Sequence, residues 1–199
     1  MSGYRYQLVG GHPALDFLNT VRDWTAAERE DRLAGFPDAV RFGVAAGVLT
    51  QAEARALGSR RGGEEIGRLR ELRGRLERIL GALLARDAPR QADLDRLAKD
   101  AAGAAEAVRL RSVGGRLVQR IVAADAGAAT LRYRLVEAAI TLLRSPRWER
   151  VNRCPRCGWF FLDTSKNGSR RWCSMAMCGS ATKSRNYYRR NRGRGLTRT

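Results

Sequence analysis

Apolar residues recur along this chain at spacings of three and four far more often than they alternate, a pattern that predicts a mainly helical protein. The strongest stretch spans roughly 64–86. There Ile66, Leu69, Leu72, Leu76, Ile79, Leu80 and Leu83 share one face, and Glu64 and Glu65 suit the positive helix start. Gly67, Gly74 and Gly81 lie off that stripe, and they either permit a close helix approach or reflect a compositional bias. Further helices are expected from about Gln91, with Leu94, Leu97 and Ala98 inward, and over about 126–144, with Leu131, Leu135, Ala138, Ala139, Leu142 and Leu143. Shorter ones follow Pro13 and Phe36, and one starts at Thr50, where Thr50-Gln51-Ala52-Glu53 forms a capping box. Ser145-Pro146 ends the 126–144 helix, because the residue before a proline avoids helical angles.

Alternation appears in two places. Tyr4–Val9 reads as a short strand stopped by Gly10-Gly11, and the runs 107–112 and 116–122 around Gly114-Gly115 read as a β-hairpin. No repeat is apparent. The division expected from these elements is an N-terminal domain over 1–145 and a separate module over 146–199.

Charge changes the picture. The 199 residues carry 38 Lys and Arg against 20 Asp and Glu, a net charge of +18. Residues 151–199 hold twelve of the basic residues and a single acid, Asp163, so the excess is concentrated at the C-terminal end. Such a segment points to a polyanionic partner. No run approaches the ~18 apolar residues of a membrane span. The first residues lack a basic region followed by an apolar run, so no secretory signal is expected. A reducing cytoplasm is the expected setting, with the protein at the nucleoid and away from the membrane.

All four cysteines fall in the basic module: Cys154-Pro155-Arg156-Cys157, fifteen residues, Cys173, four residues, Cys178. Two close pairs at that separation match structural zinc sites, and an ion supplies the cohesion that so short a module lacks in apolar residues. A redox pair needs only one C-x2-C and a βαβ setting that is absent here. An iron–sulfur cluster also takes four cysteines, but usually at other spacings. The favoured reading is one structural Zn(2+) on Cys154, Cys157, Cys173 and Cys178, with no open position for catalysis. Gly158–Leu162 supplies enough apolar residues for one strand against a helix; a knuckle, a hairpin and a helix starting at the second pair make a treble-clef-like finger, and the fold class is α+β, mainly α.

Beyond the second pair, Arg185, Arg189 and Arg192 fall on one helical face with Lys183, Asn186 and Arg190 beside it. An α-helix fits the DNA major groove, where Arg and Lys read guanine and Asn reads adenine. Lys166, Arg170 and Arg171 in the preceding turn are expected phosphate contacts. A basic helix that is merely solvated is the plainer alternative. In the N-terminal part, His12, the single histidine, precedes Asp16 and Asn19. With Trp24 they are candidates for a ligand site or an acid–base pair, against the stronger alternative that they bond backbone at a turn. No nucleophile triad, phosphate loop or carboxylate cluster stands out, so an enzyme is not expected.

The stretch Arg153–Ser174 resembles the CGNR zinc finger, and His12-Pro13-Ala14-Leu15-Asp16-Phe17-Leu18-Asn19-Thr20 resembles the start of the ABATE domain that precedes this finger in bacterial proteins described as stress-induced transcription regulators. The resemblance implies a zinc-dependent unit that binds double-stranded DNA, behind an N-terminal domain that senses a small-molecule effector or a partner. A homodimer suits a regulator that reads palindromic DNA, and the 64–86 helix could supply its interface. RNA binding by the same basic module is the runner-up. One departure matters: the tetrapeptide that names the finger is Cys-Gly-Asn-Arg, and here it is Cys178-Gly179-Ser180-Ala181. Ser180 stands where Asn is expected and Ala181 cannot replace the Arg charge.

Overall fold

The fold is that of a computed structural model of the chain, which describes residues 6–58 and 62–194, with the side chains of 186, 188–190 and 192–194 outside that description. In chain order the helices are α1 (Pro13–Leu18), α2 (Phe36–Ala45), α3 (Gln51–Gly58), α4 (Gly63–Leu84), α5 (Gln91–Glu106), α6 (Ala123–Ala126), α7 (Thr130–Arg144) and α8 (Ser180–Arg194). Two antiparallel hairpins are interleaved with them: β1 (Val108–Val113) with β2 (Arg116–Ile121), and β3 (Val151–Arg153) with β4 (Phe160–Leu162). The protein is therefore α+β and mainly α. Among the described residues, no helix is long and apolar enough to cross a membrane.

The local signals operate as their chemistry requires. Thr50 and Glu53 cap α3 reciprocally, the Glu53 carboxylate accepting from the Thr50 amide at 2.8 Å and the Thr50 hydroxyl from the Glu53 amide at 3.2 Å. Gly114 and Gly115 both take positive φ, 56° and 72°, the turn that joins two twisted strands most tightly. On α4 the apolar stripe buries Leu69, Leu72, Leu76, Ile79 and Leu80. Gly67, Gly74 and Gly81 are not a packing device. A Cβ at Gly67 would meet nothing, and at Gly74 and Gly81 only the tips of Arg78 and Arg153.

Two expectations are corrected. Residues 6–9 join no ladder. Tyr6 instead fixes the segment, donating its hydroxyl to the Asp38 carbonyl at 2.8 Å and setting its ring edge-on to Phe42; Tyr4 and Arg5 lie outside the described residues. Alternation alone does not make a strand, and β4 reaches the chain only just beyond this segment, where the Leu162 amide donates to the Gly10 carbonyl at 2.8 Å. The 126–144 helix is likewise interrupted: Gly127 adopts φ 54°, ψ −133°, a 3-10 turn covers Gly127–Ala129, and regular helix begins at Thr130.

The main core packs α1, α2, α4 and α7 together, with Phe17, Phe42, Leu69, Leu72 and Leu135 fully enclosed. Val151, Phe160 and Leu162 belong to this same core, although they come from the C-terminal hairpin. A second cluster joins Val21, Trp24, Trp159 and Phe161 to the cysteines.

The hydrophobic pattern did not foreshadow the buried charges. Arg132 on α7 donates to Glu65 on α4 at 2.5 Å and to Asp100 on α5 at 2.6 Å, while Arg75 reaches the other oxygen of Asp100 at 2.6 Å. Arg73 grips Asp31 through both of its terminal nitrogens, at 2.8 and 2.5 Å. Arg134 ties α7 to the Glu53 carboxylate and to the carbonyls of Val48 and Ile121, and its hydrogen bond holds the Glu53 carboxyl down to about 2. Such pairs stabilise only while complete, since removing one partner strands a buried charge. Arg132→Ala should therefore cost about 3–5 kcal/mol in a urea titration. Adding Glu65→Gln to that variant should cost clearly less than Glu65→Gln costs alone, because the stranded charge is gone.

Candidate metal centre

Residues 151–179 fold back on themselves around sulfur. After β3 the chain makes a tight knuckle: the Gly158 amide donates to the Cys154 carbonyl at 2.9 Å and the Cys154 amide to the Trp159 carbonyl at 2.8 Å. Gly158 is required twice over, by its φ of 70° and by Trp24, whose Cβ lies 2.8 Å from where a side chain would start. The chain then forms β4 and a loop organised by Asp163. One oxygen of this buried carboxylate accepts the Ser165 amide at 2.8 Å, the other the Arg170 amide at 2.9 Å. Of the second pair, Cys173 precedes and Cys178 lies within a π-helical turn, Met175–Gly179, capped by the Ser174 hydroxyl and running directly into α8. The start of regular helix therefore falls at Ser180, seven residues beyond Cys173. A Cβ at Gly179 would meet the Sδ of Met175 and the Cδ1 of Trp172, so the Met175 side chain would have to move aside.

The four Sγ atoms all lie within 4.8 Å of one another. Cys157 is 3.5 Å from Cys173 and 3.6 Å from Cys178, and Cys173 is 3.6 Å from Cys178. A tetrahedron built on Zn–S bonds of about 2.3 Å has edges of about 3.8 Å, so the donors stand where a single ion would need them. Cys154, Cys173 and Cys178 are buried, Cys157 is half-buried, and none is in a disulfide. As thiols alone they compete for one negative charge. Hydrogen bonds from Cys157 and Cys173 pull the Cys154 thiol far down, and the bond with Cys154 pushes the Cys157 thiol up to about 12 and the Cys173 thiol higher still. A bound divalent cation ends that competition, because coordinating thiols are deprotonated.

The model of the ABATE domain, described as "Putative stress-induced transcription regulator", matches residues 11–146. The chain belongs to the ABATE family. The CGNR zinc finger matches residues 150–191 of the same chain, a span that contains all four thiols. No curated protein matches it. The sulfur cluster of this ABATE chain is thus the centre of a CGNR zinc finger, with a donor set that fits zinc.

The other residues singled out in the sequence separate into two groups. Lys166, Arg171, Ser180, Lys183 and Arg185 are exposed on the finger and on the first turns of α8, with the Ser180 hydroxyl bonded to the Met175 carbonyl at 3.1 Å. Asn186, Arg189, Arg190 and Arg192 lie on α8, but their side chains are outside the described residues. Arg170 departs from its expected role as a phosphate contact. Its guanidinium stacks over Phe161 at 4.6 Å and donates to the carbonyls of Val9, Leu162, Trp172 and Cys173, so its donors serve the finger's interior.

His12, Asp16, Asn19 and Trp24 likewise bond backbone. The His12 ring caps α1 by accepting from the Ala14 amide at 3.3 Å. Asn19 makes a paired bond with β4, donating to the Phe160 carbonyl at 2.9 Å and accepting from its amide at 3.0 Å. Trp24 donates its indole N–H to the Leu18 carbonyl, and its amide bonds the Cys157 carbonyl at 2.9 Å. These contacts lock the finger to α1, a role hidden from a sequence in which the partners stand some 140 residues apart. Asp163 did carry a signal, as the lone acid of the basic segment.

Asp16 is buried, accepts from the Gly10 amide at 2.8 Å, and is raised to about 6 by burial, with that amide and Arg170 opposing the shift. A carboxyl raised in the folded state contributes fully below its ordinary value of 3.8 and loses that contribution as pH rises through about 6. Asp16→Asn keeps an acceptor without the charge. It should stabilise the protein at pH 8 by at most about 3 kcal/mol, and the gain should fall by about half at pH 5, as thermal melts at the two pH values will read.

Proposed function

We propose that this chain is a zinc-dependent, DNA-binding transcription regulator. One Zn(2+) held by Cys154, Cys157, Cys173 and Cys178 serves structure, and α8 is the element offered to double-stranded DNA. The observation that carries this reading is the junction at Cys178. This ligand sits in the π turn that continues without a break into α8, so closing the sulfur tetrahedron fixes the root of a helix bearing exposed Lys183 and Arg185. From residue 164 onward the chain has no acid at all, so nothing there repels a phosphate backbone. Lys166 and Arg171 extend the basic surface onto the loop before the helix.

In this reading the division at 145/146 separates roles. Residues 1–145 sense a small ligand or a protein partner, residues 146–199 hold the DNA, and no catalysis is involved. The regulator works as a dimer at the nucleoid, within the cytoplasm. Ser180 and Ala181, where Asn and Arg name the family motif, alter what is read rather than whether DNA is held, because the metal and the basic side chains are untouched. Structured RNA is the second reading, favoured by Tyr187, an exposed ring beside the cations of α8 that could stack on a base. Competition between a duplex and a structured RNA separates the two.

Binding of a DNA duplex, followed by fluorescence anisotropy, should weaken about 10³–10⁵-fold between 50 and 200 mM salt if about six to ten phosphates are contacted. A flat titration would refute DNA as the partner. Arg185→Ala should lower the slope of log K against log salt by about one. Cys173→Ser should release the metal and abolish binding; zinc still bound at one equivalent would overturn the ligand set.

A further inference from the structure

The β1–β2 hairpin has two unlike faces. On one face Val108 pairs with Ile121, Leu110 with Gln119 and Ser112 with Leu117; only its base, Val108 and the buried Ile121, packs on the helices, while Leu110 and Leu117 are exposed. On the other face Arg109 stands directly opposite Arg120, Arg111 opposite Val118 and Val113 opposite Arg116. Four arginines thus share one side of a ribbon of twelve residues, all of them exposed. Arg109 is held by Asp125 at 3.2 Å; among the described residues, no ion pair engages Arg111, Arg116 or Arg120.

Like charges placed directly across a ribbon destabilise it, and Arg109 and Arg120 stand so. The arginine face is therefore a cost to the fold that a partner of opposite charge would offset. Successive outward residues along a strand are about 6.8 Å apart, so the three unengaged guanidiniums form a spaced row rather than one pocket. A row of forked donors suits a chain of phosphates better than a single small anion. A two-stranded ribbon also fits the major groove of B-DNA, whereas the A-form groove of RNA is too narrow for it.

We propose that the outer face of the β1–β2 hairpin is a second contact for duplex DNA, made to phosphates by Arg111, Arg116 and Arg120 within the ABATE domain. This rests on the DNA reading of the finger and extends it: the N-terminal domain is itself part of the DNA-binding surface.

The test uses the full-length, zinc-loaded protein and a duplex in an anisotropy titration from 50 to 200 mM salt. Replacing the three arginines together, Arg111→Gln, Arg116→Gln and Arg120→Gln, should lower the salt slope by about 2.7, that is about 0.9 for each lost contact, with zinc still bound at one equivalent. The matching triple replacement by lysine should keep the wild-type slope, because a phosphate contact needs charge. If the glutamine protein fails to fold, Arg116→Gln alone, beside the turn, should lower the slope by about 0.9. A wild-type slope in the glutamine protein, with Arg185→Ala still weakening binding, overturns the hairpin contact and leaves the finger's reading intact. An unchanged slope accompanied by a changed sedimenting mass overturns it in favour of a protein partner. A wild-type protein that binds no duplex overturns both.

Discussion

Strand β4 is the constraint on which the rest of this molecule depends. Successive side chains of a strand point to opposite faces, and here both faces are buried. Phe160 and Leu162 enter the helical core beside α1, while Trp159 and Phe161 close over the sulfur cluster with Val21 and Trp24. The paired bond from Asn19 to both backbone groups of Phe160 sets the register between them. A slip of one residue would exchange the two faces and place the wrong rings against the thiols. The metal centre and the helical core are consequently held by one three-residue strand, and a displacement of α1 would be felt directly at the knuckle.

The many arginines follow two different rules. Arg73, Arg75, Arg132, Arg134 and Arg170 are drawn inward, where each guanidinium satisfies carboxylates or carbonyls that would otherwise be stranded. The planar fork of five donors makes this possible, since one Arg can bridge several acceptors from different elements. Among the described residues, other arginines stay at the surface, some paired with acids, as Arg22 with Glu30 and Arg68 with Glu64, and others on the hairpin and the finger. Net charge by itself therefore overstates the exposed positive surface: part of it is internal mortar.

Legibility varied with the range of the interaction that decides each element. The α4 stripe, the α3 capping box and the Gly114-Gly115 turn are written in residues a few positions apart, and the structure reproduces them. The cysteine spacing was equally readable, because the loops that bring two thiols to one point are short. The Tyr4–Val9 alternation misled, as a strand requires an edge that only the folded protein can supply. The helix expected from 126 failed at Gly127, whose φ of 54° and ψ of −133° break the run before Thr130. Ser180-Ala181 shows the same limit from another side: the departure is visible in the chain, yet its effect depends on what α8 meets.

The sequence by itself determined the helical class, the separate thiol pairs, the basic C-terminal segment and membership of the ABATE and CGNR families, since periodicity, spacing and charge are properties of neighbouring residues. Only the tertiary structure decided that Phe160 and Leu162 belong to the helical core, and that Asn19 binds both backbone groups of Phe160. It alone showed Arg170 turned inward and one hairpin carrying its charge on a single face. These depend on contacts between residues up to about 160 positions apart. Whether a polar side chain is free or already satisfied depends on such distant partners, and no local pattern records them.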